Sequence, residues 1–179
     1  HMVGRVALSG FCRGRRYLAE RACRDFLVMY EVQDVEVLRS AEYLTKANAP
    51  SPLTQRTTPY VKNAIRGLAR VHSSHGIGSG GCALTLRFSV RAGREAELSH
   101  YLDDEVLPAL ARIPEITGAH RLVADREVSS IVPVERQGRP TAIPDWIVLI
   151  EAVTFDVLSD VGRGPLSDER MIAQGAAAP

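Results

Sequence analysis

"FLVMYEVQDVEVL" (26–38) and "WIVLIEAVTFDVL" (146–158) are one pattern written twice, 120 residues apart. Each opens on an aromatic residue, Phe26 or Trp146, and continues through four matched apolar positions. Glu31 then stands over Glu151, and both blocks close on Val-Leu, at 37–38 and 157–158. Short runs rich in β-branched and aromatic residues read as strands, so residues 26–32 and 146–153 are predicted to be the same strand of a repeated unit.

Working outward, "LSGFCRGRRYLA" (8–19) matches "IPEITGAHRLVA" (113–124) at an offset of 105. Leu8 falls over Ile113, Phe11 over Ile116, Arg16 over Arg121 and Ala19 over Ala124. Two blocks in the same order, with the same chemistry, point to an internal duplication. The offsets differ because the second copy has the longer connection, "VERQGRPTAIPD", where Gly138, Pro140 and Pro144 predict a loop. In the first copy Arg24-Asp25 suits a hairpin turn.

The second copy opens with "CALTLRFSV" (82–90), in which apolar and polar residues alternate as in a half-buried strand. Leu98, Leu102, Val106, Leu107, Leu110 and Ile113 then mark one helical face, with Pro108 as a kink or boundary. A short helical piece is expected near "FDVLSD". In the first copy the matching strand would fall before His1, and "HMVGRVAL" reads as the tail of the matching helix. About 25 further residues are therefore expected upstream, enough for one strand and most of a helix.

Between the copies, "DVEVLRSAEYLTKANA" has helical spacing behind a possible Asp34 N-cap. "APSPLTQRTTP" reads as a loop broken by prolines, and "YVKNAIRGLARV" as a second helix that Thr58-Pro59 would start. "RVHSSH" fits either the end of that helix or an edge strand. The expected organisation is a truncated repeat over 1–75, a linker over 76–81, a complete repeat over 82–160 and a flexible tail over 161–179.

Composition narrows the function classes. Apolar residues form 45% of the chain and charged residues 24%, with a net charge of +1, so no general field for nucleic acid or anionic membranes exists. Three cysteines without a CxxC spacing read as reduced thiols, and nothing approaches about 18 uninterrupted apolar residues. A cytoplasmic location, with neither nucleic acid nor membrane as partner, is the expectation.

"HSSHGIGSGGC" (72–82) offers two histidines, a thiol and glycines at 76, 78 and 81 that fit GxGxxG. A dinucleotide loop needs a strand before it and a helix after it; here the order is reversed. The histidines lie in an irregular segment with no fourth ligand at a recognisable spacing, so no metal is expected. The stretch reads as the joint between the copies.

The chain resembles the dimeric α+β barrel superfamily, and within it the EthD-like proteins. "HMVGRVALSGFCRGRRY", "FLVMYEV", "VLRSAEYL", "NAPSPLTQR" and "GIGSGG" carry the likeness, joined by "EVLPALARIPEITGAHRLVAD" and "PDWIVLIEA". The resemblance implies tandem ferredoxin-like repeats whose antiparallel sheets pack face to face with an equivalent sheet, with a homo-oligomer expected. It also implies a small-molecule ligand, and among the activities of such proteins are cofactor-free oxygenation and proton transfer.

With that frame, His120 is the candidate base, Arg121 the oxyanion or carboxylate partner and Glu151 the residue that orients them. Their substrate would be a small apolar or aromatic molecule, with no cofactor. Arg16, Tyr30, Glu31 and Trp146 are candidate ligand-binding residues. If Ala19 lies opposite Phe26, Met29 lies opposite Arg16, and Arg16 and Glu31 share one face within reach of a cross-strand pair. The alternatives are a structural pair repeated by duplication, core aromatics at Tyr30 and Trp146, and a non-catalytic module that binds a small ligand or assembles.

Overall fold

The computed structural model describes residues 2–20, 25–62, 64–129 and 144–177. It is an α+β protein with one two-stranded and one four-stranded antiparallel sheet. The chain divides into two compact units, His1–Leu68 with Asp125–Ile143, and Ala69–Ala124 with Pro144–Pro179.

The second unit contains four strands, β3 (Ala69–Gly76), β4 (Cys82–Phe88), β5 (Ile116–Ala124) and β6 (Trp146–Ala152), in the spatial order β3-β5-β6-β4. Alternation along β4 sends Leu84, Leu86 and Phe88 to one face, where they meet Trp146, Val148, Ile150 and Ala152 of β6. That face lies under α4 (Glu95–His100), a wide π turn (Tyr101–Val106) and α5 (Leu107–Leu110). Leu98, Leu102 and Leu107 of this helical stretch are fully buried, each contributing about 2 kcal/mol of apolar transfer. The predicted Pro108 irregularity is present as that π turn: proline has no N–H to donate, and the turn just before it widens, Leu107 N–H bonding Leu102 O.

The segment expected as a flexible tail holds regular structure through Ala176. After α7 (Phe155–Arg163), α8 (Asp168–Gln174) puts Met171 into the core beside Leu166 and Ala176. Gly175 ends α8 at φ 119°, and Ala176 bridges to Val90. Within α8 Met171 is the one buried residue, so no periodic apolar face marks this helix in the sequence.

"YVKNAIRGLARV" is not the expected helix. Its last residues begin β3, which pairs with β5 at the edge of the sheet, because long-range pairing outweighs a weak helical pattern interrupted by Gly67. The unit boundary accordingly falls at Leu68–Ala69, and the glycine-rich stretch joins the two edge strands of one sheet. It is closely packed at two points. Gly76 has φ 107°, and a Cβ on Gly80 would stand 2.4 Å from the Ala152 backbone.

The first unit holds α1 (Met2–Val6), β1 (Phe11–Leu18), β2 (Phe26–Val32), a 3₁₀ turn (Val35–Arg39), α2 (Ala41–Asn48), α3 (Pro52–Thr57) and α6 (Arg126–Ser129). The predicted helix over 34–49 is split at Ser40, whose hydroxyl caps Tyr43 N–H; Asp34 caps Glu36 N–H as expected. The predicted proline-broken loop contains α3, because Pro52 sits at the first helical position behind the Ser51 cap, where a missing N–H costs nothing. Val35, Leu38, Tyr43, Ala47 and Val128 form this unit's core, with Phe11 stacked on Tyr43. Arg24, Cys23 and most of the 134–145 loop lie outside the described residues.

The β1–β2 ladder pairs Phe11 with Val32, then Arg13 with Glu31 and so on to Leu18 with Phe26, skipping Cys12 at a bulge. Adding 105 to every β1 number and 120 to every β2 number yields the β5–β6 ladder pair for pair. Ile116 meets Ala152, Gly118 meets Glu151, Val123 meets Trp146, and the bulge falls at Thr117.

Candidate functional site

The observed β1–β2 register is one residue away from the expected one. Arg16 lies opposite Val28 and Arg15 opposite Met29, and in a strand a one-residue slip exchanges the faces. Glu31 therefore pairs with Arg13 (Nε to Oε2, 2.8 Å) and with Arg15, while Arg16 turns to the other face and rests on the Phe26 ring at 6.0 Å. Tyr30 meets Phe11 edge to face. These three candidate residues do not gather around one cleft. A cleft of about 470 Å³ in this unit is lined by Leu8, Ala41, Glu42, Thr45, Lys46 and Ala49, none of them a candidate.

In the second unit the same alternation separates His120 from Arg121. Arg121 points beneath the helices, where Nε reaches Asp103 Oδ1 at 2.7 Å and Nη2 reaches Oδ2 at 2.6 Å and Ser99 Oγ at 3.1 Å. The Trp146 ring lies 4.3 Å from the guanidinium carbon, a cation–π contact that closes the other side. Burial raises the Asp103 carboxyl, but hydrogen bonds from Arg121 and Ser99, the Arg121 charge and a bond from Ser73 outweigh it. The group is held below the ordinary aspartate range. Arg121 and Trp146 thus form a buried structural cluster with Asp103, a residue that sequence reasoning passed over although it lies on the predicted helix.

His120 faces the opposite side of the sheet together with Glu151. Its Nε2 is 3.6 Å from Glu151 Oε2, and its Nδ1 is 2.8 Å from Ser74 Oγ, supplied by the directly opposed residue of β3. Glu151 is 1% exposed, the His120 side chain 21%, and Ser74 is exposed. A buried carboxyl, a part-buried imidazole and an exposed hydroxyl therefore run from the sheet interior outward. A Cβ at Gly118 would lie 2.6 Å from His120 Nε2, so the glycine two residues before His120 leaves the space its ring occupies.

Of the catalytic candidates, then, the fold brings His120 and Glu151 together and sends Arg121 elsewhere. Under the ladder correspondence, Arg15–Glu31 is the first unit's counterpart of His120–Glu151, so the recurring pair is this one rather than Arg16–Glu31. Ser74 was missed because its role depends on β3 pairing with β5, which local pattern does not reveal.

The imidazole can move a proton. The 3.6 Å between Nε2 and Glu151 Oε2 exceeds hydrogen-bond length, so the ring is held in this array by the bond between Nδ1 and Ser74 Oγ, whose direction follows the tautomer. The 72–82 stretch supplies Ser74 to this array, but its histidines and thiol do not converge: His75 Nε2 bonds Ser73 Oγ at 3.0 Å, while Cys82 lies on the opposite edge strand. Among the described residues no group of three or more His, Cys, Asp or Glu could hold a metal ion, and no helix is long and apolar enough to cross a membrane. Compared with models of known families, with curated proteins and with solved structures, the chain matches none.

Proposed function

We propose that this chain is an internally duplicated α+β barrel protein of the EthD-like kind, and that it transfers protons to and from a small apolar or aromatic carbon acid without a cofactor. The pairwise identity of the β1–β2 and β5–β6 registers, bulge included, supports the duplication, because independent hairpins have no reason to share it. The array Ser74 Oγ, His120, Glu151 carries the functional reading. His120 is the base, acting from Nδ1; Ser74 relays the substrate proton to it; Glu151 orients the ring. The half-buried Leu122 and Ile147 share that sheet face with His120 and suit an apolar ligand, and they suit packing against an equivalent sheet in a homo-oligomer.

The test is deuterium exchange. Small aromatic ketones with an acidic C–H are incubated with the protein in D₂O and followed by NMR. Protein-dependent exchange that vanishes in His120→Ala and falls in Glu151→Gln is the expected result. Exchange that survives in His120→Ala removes the proposal. A second reading, binding of a small ligand without turnover, is favoured by one observation: Arg121, the residue expected to stabilise an anion, is locked to Asp103 on the other face. Binding of those ketones without exchange would select it.

A further inference from the structure

The shared ladder lets one hairpin report on the other. In β5–β6 the face bearing Ala119, Arg121, Trp146, Val148 and Ile150 is buried beneath α4, the π turn and α5, and Asp103 of the π turn holds Arg121. The matching positions in β1–β2 are Gly14, Arg16, Phe26, Val28 and Tyr30.

Among the described residues, one end of that first face is covered. α1 packs there, with Met2 Cγ 2.9 Å from where a Gly14 Cβ would stand. The same offset of 105 maps Met2 onto Leu107, so α1 occupies the place that α5 holds over Ala119. Beyond α1 the face is bare: Leu18 is 70% exposed, Phe26 59% and Val28 46%. Arg16 lies 6.0 Å from the Phe26 ring centre, a looser version of the 4.3 Å contact of Arg121 with Trp146, and among the described residues it has no carboxylate. Three exposed apolar side chains around a cation make a poor solvent surface, and the other ladder shows what covers such a face.

We propose that this face is the seat of an amphipathic α-helix lying in line with α1 and carrying a carboxylate that pairs with Arg16. The occupant has the chemistry of α4 and the π turn: apolar residues at the spacing of Leu98, Leu102 and Val106, and an acidic residue at the position of Asp103. The helix buries Leu18, Phe26 and Val28, and its carboxylate converts the exposed Arg16–Phe26 stack into a closed cluster. This rests on the duplication part of the reading above and not on proton transfer, so the absence of deuterium exchange would leave it standing.

The protein supplies its own probe. The sequence of Glu95–Glu105 is fused directly ahead of His1 in the full chain, which places the grafted aspartate where Asp103 stands relative to α5. The graft should raise the melting temperature by about 3 °C or more and slow amide exchange in β1 and β2. Arg16→Ala should remove most of that gain, and a scrambled graft of equal composition should give none. An unscrambled graft without effect, or a gain that persists in Arg16→Ala, overturns the proposal. So does a parent chain that is dimeric in solution and becomes monomeric on Phe26→Ser, which would assign the face to a second copy.

Discussion

Arg121 and Asp103 meet at two points, 2.7 and 2.6 Å apart, while Trp146 closes the guanidinium from the other side at 4.3 Å. A fork-to-fork pair of this kind fixes both partners in angle as well as distance, and so pins the π turn to the middle of the sheet.

Removing one partner leaves the other without compensation, Arg121 being buried and the Asp103 side chain 21% exposed. Arg121→Ala is expected to cost about 3 kcal/mol, read as a fall in the urea midpoint. Arg16→Ala, at the matching but open position of the other hairpin, should change stability by less than about 0.5 kcal/mol. Equal losses in the two variants would refute the distinction drawn between the two faces.

The same pair predicts an acid limit. The Asp103 carboxyl titrates lower in the folded chain than in the unfolded one. Its stabilising contribution is therefore complete above the ordinary aspartate range and is lost as pH falls through the depressed folded value. Urea titrations below pH 5 should show a stability loss that is smaller in Asp103→Asn, because the variant has no such carboxylate to protonate. Parallel pH profiles for both proteins would count against it.

Ser74 separates proton relay from simple ring orientation. Ser74→Ala should lower deuterium exchange about a hundredfold while leaving the melting temperature within a degree or two. Ser74→Thr, which retains the hydroxyl, should recover part of the loss. If the alanine variant exchanges at the parental rate, His120 works without it.

Two glycines of the 76–81 segment should respond oppositely. At Gly80 a methyl group would collide with the Ala152 backbone, and Gly80→Ala should cost about 1–3 kcal/mol. At Gly78 no atom lies within 4 Å of the added methyl, so Gly78→Ala should be neutral to within about 0.5 kcal/mol. Thermal unfolding of the two variants side by side distinguishes packing at one point from general looseness of the loop.

The strands with strong local signals were legible in the sequence. Residues 26–32 form a strand with those bounds, the strand expected over 146–153 ends one residue earlier at Ala152, β4 alternates as its residues dictate, and the helix over 95–110 carries its irregularity just before Pro108. Two of the misreadings share a cause, a partner distant in the chain. β3 is a strand because β5 offers it an edge, and α8 is ordered because Leu166, Met171 and Ala176 find the core. The site divides along the same line. His120 and Glu151 were chosen from repeat positions and do come together, whereas Arg121 was grouped with them although adjacent strand residues must face apart.

Strand β3 also guards the sheet against itself. β5 lies inside the sheet, and without residues 69–76 its hydrogen-bonding edge would be an open template for any extended chain. β3 occupies that edge with Arg70, His72 and His75 and a bulge between Val71 and Ser73, features that discourage a further strand from adding. A fragment cut at the glycine-rich stretch, 82–179, would keep every helix of the second unit yet lose this cover. Its expected fate is association through β5, so an expression boundary ahead of Ala69 is the one that preserves a monodisperse protein.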